Sequence, residues 1–255
     1  MKDYFFGTEY DISPAGGETG QAFVAIHKDE KFFLKRNSSP FLAALSVEKI
    51  VPKLIWTRRV ENGDVITAQK WINAHILTAD EMTDPRVTEI LFKIHQSKPL
   101  RAMLAKIEDR DLSAPILLER LKEKLPVVLT EVEQAALCYL EEKVSEIIEE
   151  VHTVCHGDIH HNNWIISEAG EMFLVDWDEA LLADPAIDLA MLLYQYIPKN
   201  KWEELLSSSG IILDAAYQQK LKWYAFLQIL NRLHTKNHFA EKEKLQHLLI
   251  SITNE

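Results

Sequence analysis

The hydrophobic pattern of the chain changes its period near Trp71, and this change limits the folds that the sequence can adopt. Before it, short runs alternate apolar and polar side chains, as strands with one buried face do. After it, apolar residues recur three and four positions apart, as Val87, Leu91 and Ile94 do, and this spacing is typical of amphipathic helices. The sequence therefore predicts an α+β chain, with a small antiparallel sheet over residues 1–72 and a larger, mostly helical part over residues 73–255.

The first part of the chain contains three predicted strands and one predicted hairpin. Asn62 and Gly63 separate two alternating runs, and this dipeptide is a strong hairpin signal. The segment SSPFLAALS predicts a short helix with a serine cap and Pro40 at its first position. The three strands are expected at about residues 9–14, 21–27 and 31–36.

The composition excludes several classes of protein. A formal net charge of −11 gives the chain no overall attraction for phosphate backbones, so nucleic-acid binding is not expected. Two cysteines, Cys138 and Cys155, are too few for a disulfide framework, and both are expected to be free, buried thiols. No run approaches the length of a membrane span, and the first residues lack the apolar stretch of a signal peptide. These features predict a cytoplasmic protein.

The segment HGDIHHNNWIIS, followed by FLVDWD, carries the side chains best suited to chemistry. Asp158 and Asn163 flank a predicted loop, and Asp176 ends the next predicted strand. Together they supply the hard oxygen ligands that magnesium prefers. Phosphoryl transfer needs a group that orients an attacking hydroxyl and accepts its proton, and it needs metal ligands near the phosphates. Asp158 suits the first task, and Asn163 and Asp176 suit the second.

Other polar residues in this region have more than one interpretation. A zinc site made of His156, His160 and His161 is not favoured, because no fourth ligand is evident. His156 is expected to orient the loop by hydrogen bonding. His160 and His161 either face a substrate or only flank the loop, since histidine serves both roles readily. Asp178 either assists the metal or is an ordinary acid at the end of a strand.

The form HGDxxxxN, followed by VDWD and DPAIDLA, resembles the aminoglycoside phosphotransferase/choline kinase family over about residues 10–200. The resemblance implies a protein-kinase-like bilobal fold and a phosphotransferase that uses ATP and Mg²⁺. It implies that Asp158 is the catalytic base and that Asn163 and Asp176 are the metal ligands. His156 and Asp188 are expected to support the site structurally, with Asp188 bracing the catalytic loop from a helix.

The same resemblance assigns a nucleotide site to the first part of the chain. Lys35 takes the place of the phosphate-contacting lysine of the third strand, and a glycine cluster takes the place of the phosphate-covering loop. The glycine cluster is not a clean GxGxxG, and the helix SSPFLAALS lacks the usual glutamate partner of the lysine; Glu48 lies just beyond it. The predicted nucleotide-binding residues are Gly16, Gly17, Gly20, Lys35, Gln69, Trp71 and Ile72, the last three at the hinge between lobes.

Segments such as VPKLIWTRR and ITAQKWIN resemble a narrower group, the YtmP-type branch of bacterial cell-cycle regulators. This likeness implies a cytoplasmic protein of Gram-positive bacteria that is recruited to the division site. It implies association with the division machinery, with a cell-division protein partner, and control of DNA replication. It also implies sugar acceptors such as ribose or deoxyribose, or nucleosides. The favoured hypothesis is an active small-molecule kinase, and the alternative is a kinase-fold scaffold that acts mainly by binding its partner. A protein kinase is disfavoured, because no Ala-Pro-Glu segment follows VDWD.

Overall fold

The computed structural model describes residues 10–15, 20–28, 30–107, 112–149, 152–235 and 239–255. The chain forms two compact units. The first contains Met1–Leu77 together with Asn162–Asp178, and the second contains Thr78–His161 together with Glu179–Glu255. These units are defined by contacts, whereas the lobes predicted over residues 1–72 and 73–255 are defined by function, so that division remains a prediction.

A five-stranded antiparallel sheet dominates the first unit. Its strands are β1 (Asp11–Pro14), β2 (Ala22–His27), β3 (Glu30–Arg36), β4 (Leu54–Arg59) and β5 (Val65–Lys70). Their order in the sheet is β1-β2-β3-β5-β4. The central strand, β3, carries Lys35, which lies opposite Ala22 on one side and Thr67 on the other. The predicted strands are confirmed to within two residues.

The hairpin between β4 and β5 forms at the predicted Asn-Gly turn. Gly63 has φ +90°, a conformation that glycine adopts without steric cost. Its N–H donates to the carbonyl of Val60 at 2.9 Å, and the side-chain amide of Asn62 donates to the carboxylate of Asp64 at 2.7 Å. Local chemistry at the turn therefore sets the register of the two strands.

One face of the sheet is buried, as the alternating pattern predicts. Ala25, Leu34, Ile66 and Ala68 are almost fully buried there. The short helix Phe41–Val47 buries Phe41 and Leu45. Its N-terminus is close to the predicted cap, since the Ser39 hydroxyl accepts a hydrogen bond from the Phe41 N–H at 3.2 Å.

The first unit also contains a three-stranded antiparallel sheet formed by residues distant in sequence. Strand Trp164–Ser167 lies in its centre, with Ala74–Ile76 on one side and Met172–Leu174 on the other. A hydrogen bond of 3.0 Å from the Leu174 N–H to the Ile50 carbonyl ties this sheet to the segment after the short helix. The sheet ends immediately before Val175 and Asp176, and so places the second predicted metal ligand.

The second unit is mostly helical, with a two-stranded antiparallel sheet made by Thr153–Cys155 and Leu181–Ala183. Its long central helix, Ala215–Thr235, buries one side chain after another from Trp223 to Leu230. Four other helices pack against it: Ala114–Lys124, Glu131–Lys143, Ala186–Tyr196 and Phe239–Thr253. The remaining helices of the described part are Pro85–Gln96, Lys98–Ile107 and Trp202–Ser207.

Helix Glu131–Lys143 begins as predicted and ends earlier than predicted. Thr130 and Glu133 form the expected capping box. The amphipathic pattern predicts a helix that continues towards residue 150, but a 3-10 turn follows Lys143. Beyond this turn the Glu149 carboxylate accepts hydrogen bonds from the Ala114 N–H and from the Tyr224 hydroxyl, contacts that local sequence does not show.

The prediction of two buried thiols is correct for Cys155 and wrong for Cys138. Helix Glu131–Lys143 buries Glu133, Ala136 and Leu140, which follow the helical spacing of three and four residues. Cys138 lies between the last two of these and therefore faces outward. Among the residues that the structure describes, no helix is both long enough and apolar enough to cross a bilayer.

Candidate active site

The backbone of the loop that begins at His156 is held by one side chain, the carboxylate of Asp188. This carboxylate is 1% exposed. It accepts hydrogen bonds of 2.9 Å from the His156 N–H and of 2.9 Å from the Gly157 N–H, and one of its oxygens lies 3.0 Å from Nε2 of His95. A buried carboxylate with three partners is stable in its position and fixes the backbone that it binds. Asp188 therefore sets the position of the loop, and its supporting role in the reaction remains a prediction.

Gly157 occupies a position that only glycine fits. Its φ is +81°, and a Cβ atom built on it would lie 2.7 Å from the carbonyl oxygen of Glu179 and 2.7 Å from a methyl carbon of Leu181. Its own carbonyl accepts a hydrogen bond of 3.1 Å from the side-chain amide of Gln228 on the central helix. The loop is thus packed closely against its neighbours at the residue that precedes Asp158.

Replacing Gly157 with alanine should lower the free energy of unfolding. The added methyl group meets a backbone oxygen, and the positive φ by itself costs roughly 1–3 kcal/mol in a non-glycine residue. Gly170 is a matched control, because it has φ +82° with no atom within 4 Å of its Cβ position. We expect urea denaturation to show a larger loss for Gly157→Ala than for Gly170→Ala. Equal losses in the two variants would contradict the close packing of Gly157.

Cys155, His95 and Asp188 form a buried cluster that resembles a metal site only in the short distances between its polar atoms. Donor atoms of His95, Cys155 and Asp188 all lie within 4.8 Å of one another. Asp188 already accepts three hydrogen bonds, and the single S–H of Cys155 has two carbonyl acceptors within reach, Ala183 at 3.5 Å and Asp184 at 3.6 Å. Burial, and then the nearby Asp188 carboxylate, raise the pKa of this thiol, which disfavours the thiolate that a metal requires. The contacts therefore indicate a hydrogen-bonded core.

Asp158, the predicted catalytic base, has a mostly buried side chain with a basic side chain close to each carboxylate oxygen. Its N–H donates to Nδ1 of His156 at 3.3 Å, so the predicted loop histidine contacts the backbone of the base. One oxygen lies 3.6 Å from Nε of Arg232, and the other lies 3.3 Å from Nε2 of His160. The second unit therefore brings together His156, Asp158 and Asp188, and adds Arg232 and His160 to them.

Sequence analysis did not identify Arg232. It lies near the end of the central helix, within a segment that reads as ordinary buried helix. The signal that was available is the charge itself, since an arginine between Asn231 and Leu233 in an apolar helix needs a partner if it is buried. No spacing rule relates it to Asp158, which lies on a loop far away in the sequence.

His161 contacts Tyr196 of helix Ala186–Tyr196, whereas His160 contacts Asp158. The hydroxyl of Tyr196 lies 3.1 Å from Nδ1 of His161 and accepts a hydrogen bond of 3.2 Å from its N–H. Burial, and then the nearby His160, lower the pKa of His161. Burial also raises the pKa of Tyr196. Both side chains are therefore mainly neutral at pH 7, and they line the loop without adding charge.

The predicted metal ligands lie close together along two adjoining segments of the first unit. The carbonyl of Asn163 accepts a hydrogen bond of 2.8 Å from the N–H of Val175, the residue before Asp176. Asp176 has φ +64°, a conformation that few residues other than glycine adopt. The next residue, Trp177, is anchored by a hydrogen bond of 2.8 Å to the Leu174 carbonyl. Hydrogen bonds on both sides of Asp176 therefore hold the turn in this left-handed conformation, in which aspartate is found more often than most residues.

Lys35 is ion-paired with two carboxylates of this turn. Its Nζ lies 2.8 Å from Asp176 and 2.8 Å from Asp178. Burial by itself lowers the pKa of Lys35, but the hydrogen bonds and charges of the two aspartates outweigh this effect and raise it. Lys35 therefore stays protonated. The role of Asp178 was left open by the sequence, and in the structure its carboxylate pairs with Lys35 beside that of Asp176. Glu48, considered earlier as a partner for Lys35, is the residue that caps the C-terminus of the short helix.

The donor atoms around this turn fit a magnesium ion. Asp176 and Asp178 offer carboxylate oxygens, and Asn163 offers an amide oxygen, all of the hard type that Mg²⁺ binds. The two aspartates already hold a cation, the ammonium group of Lys35, which shows that their charge is directed to a common point. The residues present therefore fit the group that the resemblance implies.

The other predicted nucleotide-binding residues are placed only in part. Gly16 and Gly17 lie outside the described residues, and Gly20 has φ +62° at the start of β2. Gln69 is buried in β5, where its side-chain amide donates to the Pro52 carbonyl at 2.8 Å. Trp71 lies under the ammonium group of Lys31, at 3.8 Å from the ring centre, and the half-buried Ile72 follows it. Their roles in nucleotide binding remain predictions.

Comparison with known proteins gives the chain a family. A model of the phosphotransferase enzyme family matches residues 12–227. The chain belongs to this family. As a member of the phosphotransferase enzyme family it has a distant relative in Metamycoplasma hominis, an uncharacterized protein that is 22% identical over 202 residues. The match covers 75% of this chain and 37% of that protein, so the chain spans well under half the length of this relative.

Solved structures of other phosphotransferases share the fold. The choline kinase LicA from Streptococcus pneumoniae matches with a TM-score of 0.71 and 17% identity, over 97% of this chain and 95% of that chain. A choline/ethanolamine kinase family protein from Mesorhizobium loti matches with a TM-score of 0.68 and 16% identity, over 99% and 90%. Spectinomycin phosphotransferase APH(9)-Ia, in complex with ADP and spectinomycin, matches with a TM-score of 0.55 and 15% identity, over 96% and 92%. The chain thus has a kinase-like α+β fold, as predicted.

Proposed function

We propose that this protein is an ATP- and Mg²⁺-dependent phosphotransferase that phosphorylates a hydroxyl group of a small molecule. The observation that carries the proposal is the placement of Asp158. Asp158 directly follows His156 and Gly157, whose backbone N–H groups are held by the buried Asp188 carboxylate. The chain that carries it belongs to the phosphotransferase enzyme family. LicA has been crystallised with AMP and APH(9)-Ia with ADP, and these complexes support a nucleotide as the phosphoryl donor.

The reaction can be written with the residues of the site. Asp158 accepts the proton of the substrate hydroxyl as the hydroxyl oxygen bonds to the γ-phosphorus of ATP. The bond from that phosphorus to the β,γ-bridging oxygen breaks, and ADP leaves with its electrons. Lys35, which stays protonated, offers a positive charge for the phosphates. Mg²⁺, when bound by Asn163, Asp176 and Asp178, supplies charge neutralisation for the phosphates.

The test is ADP release in the presence of ATP and Mg²⁺ against a panel of hydroxyl compounds. The panel contains ribose, deoxyribose, nucleosides, choline, ethanolamine and aminoglycosides. Release that depends on an acceptor and stops on chelation of Mg²⁺ supports the proposal. ATP binding without release in the presence of any acceptor contradicts it.

Replacing Asp176 with asparagine should raise the Mg²⁺ concentration needed for half-maximal turnover by at least roughly 10-fold, because a charged oxygen ligand is lost. The exposed Glu171→Gln is a matched control, since it removes one negative charge from the same segment. Equal Mg²⁺ requirements for the two variants would show that Asp176 is not a metal ligand. A magnesium titration of ADP release at saturating ATP measures the difference.

The acceptor and the cellular role are finer parts of the same proposal. We infer sugar acceptors such as ribose or deoxyribose, and a role in cell division with a protein partner, from the resemblance of several segments to the CcrZ (YtmP-type) branch. The alternative, a kinase-fold scaffold, is supported by the same likeness and by the irregular glycine cluster. Complementation of a deletion strain separates the two: an Asp158→Asn chain that restores normal division favours the scaffold, and one that fails favours the kinase.

A further inference from the structure

Strand β4 lies at one edge of the five-stranded sheet, next to β5. At the end of β4, the Val60 N–H donates to the Asp64 carbonyl on the β5 side at 2.9 Å. Successive residues of a strand direct their backbone groups to opposite sides, so Thr57 and Arg59 direct their N–H and C=O groups away from β5. No other strand of the described residues lies on that side. The edge can therefore accept one more strand.

The side chains around this edge are basic, although the chain as a whole is acidic. Residues 49–60 contain four basic side chains and no acidic one, whereas the net charge of the chain is −11. Lys53, Arg58 and Arg59 are exposed, and none of them forms an ion pair within the part of the chain that the structure describes. The carboxylate of Asp64 in the same hairpin pairs instead with the arginine that ends β3. The positive charge along β4 is therefore available to a partner.

Arg58 and Arg59 lie on opposite faces of the edge. Arg58 is opposite Ile66 and Arg59 is opposite Val65, and successive side chains of a strand point to opposite faces. The side chains of a strand added to β4 would alternate in the same way. Two neighbouring acidic residues on that strand would therefore meet one arginine on each face, and opposite charges in adjacent strands stabilise the pairing.

The same features disfavour two other occupants of the edge. A second copy of this chain, paired along β4, would bring the arginines of both copies close together, and like charges in adjacent strands are destabilising. The net charge of −11 opposes the binding of a nucleic acid. Its phosphates also offer no donors to the outward C=O groups of Thr57 and Arg59. An acidic peptide segment matches both the charge and the backbone groups.

We propose that β4 is a docking edge for a protein partner, which adds an extended, acidic segment to the sheet as a further strand. Backbone hydrogen bonds with Thr57 and Arg59 hold the segment, and two neighbouring carboxylates of the partner pair with Arg58 and Arg59. Ile55, whose side chain is 43% exposed at the start of β4, adds apolar contact area. The inference does not depend on the proposed phosphotransferase activity.

The first experiment measures the binding of two labelled peptides to the full chain by fluorescence anisotropy. Both peptides alternate valine and threonine; one carries two adjacent aspartates at its centre, and the other carries two adjacent lysines there. We expect the Kd of the aspartate peptide to be at least roughly 10-fold lower at low salt, and the difference to shrink as salt is added. In its presence the amide hydrogens of Thr57 and Arg59 should exchange more slowly.

The inference is overturned if the aspartate peptide does not bind, if both peptides bind equally, or if exchange at Thr57 and Arg59 is unchanged. Tighter binding of a thymidine oligonucleotide than of the aspartate peptide also overturns it. So does a dimer in sedimentation analysis that the variant Thr57→Pro converts to a monomer, because the edge would then pair with a second copy.

The second experiment separates the backbone contacts from the charge contacts. Thr57→Pro removes one outward N–H and keeps both arginines, and proline is tolerated on an edge strand where its nitrogen faces solvent. Thr57→Val is the matched control, because it keeps the N–H. We expect the Kd of the aspartate peptide to rise at least roughly 10-fold in Thr57→Pro and to stay within about 2-fold of wild type in Thr57→Val. Wild-type affinity in Thr57→Pro contradicts the addition of a strand.

The double variant Arg58→Glu, Arg59→Glu tests the charge contacts. We expect it to bind the lysine peptide more tightly than the aspartate peptide, since the preference follows the sign of the two side chains. An unchanged preference for the aspartate peptide contradicts the pairing with Arg58 and Arg59. If circular dichroism shows that Thr57→Pro does not fold, this reversal and the exchange rates of the wild-type chain still decide the inference.

Discussion

Replacing Asp158 with asparagine should reduce kcat by roughly 10²- to 10⁴-fold, the usual contribution of a general base to proton transfer. Asparagine has nearly the same shape and keeps a carbonyl oxygen, but it cannot accept the proton of the hydroxyl. In this variant Asp188 still accepts the hydrogen bonds of the His156 and Gly157 N–H groups, so we expect the loop and the chain to fold. Steady-state ADP release with a saturating acceptor measures the effect, and ATP affinity should change little.

The matched control for this variant is Asp80→Asn, which removes an exposed carboxylate from the same unit. It should retain the wild-type kcat. Comparable turnover in Asp158→Asn and the wild type would show that Asp158 does not accept the proton. A parallel loss of ATP affinity would show instead that the variant disturbs the nucleotide site and that the kinetic effect is indirect.

The second large effect is expected at Asp188. Alanine at this position leaves the N–H groups of His156 and Gly157, together with Nε2 of His95, without their acceptor in a buried environment. Each such group costs roughly 1–3 kcal/mol, so the free energy of unfolding should fall by about 3 kcal/mol or more. Urea denaturation followed by tryptophan fluorescence measures the loss, provided that the slope of the transition is unchanged.

The control for Asp188 is the asparagine variant, which keeps one oxygen acceptor in the same place. We expect Asp188→Asn to lose clearly less stability than Asp188→Ala, because one of the two backbone hydrogen bonds can still form. Equal losses would show that the negative charge, and not the number of accepted hydrogen bonds, holds the loop. A small loss in both variants would contradict the bracing role altogether.

Several elements could be predicted because their signals lie within a few residues of one another. The Asn62-Gly63 turn and the capping box of Thr130 and Glu133 are examples, and both have the expected hydrogen bonds. The three-residue strands Thr153–Cys155 and Leu181–Ala183 are too short to show a period, and sequence analysis missed the strand character of both. The early end of helix Glu131–Lys143 was also missed, since the partners of Glu149 are far away in the sequence.

The candidate site divides in the same way. Asp158, Asn163 and Asp176 could be proposed from their order along the chain, and the family match over residues 12–227 agrees with the kind of chemistry that this order suggests. Their individual roles remain predictions for the experiments above. Asp178 was left open by the sequence, and its contact with Lys35 became visible only in the structure.

What the sequence by itself determined is the set of features that depend on neighbours along the chain: strand and helix periods, the hairpin turn, the helix caps, and the order of the polar residues after His156. The tertiary structure decided which distant side chains meet. Lys35 contacts a carboxylate 141 positions away, and Arg232, near the end of helix Ala215–Thr235, lies beside Asp158 on its loop. The reason is physical: hydrogen bonds and ion pairs act over a few ångströms in space, and packing sets which residues come that close.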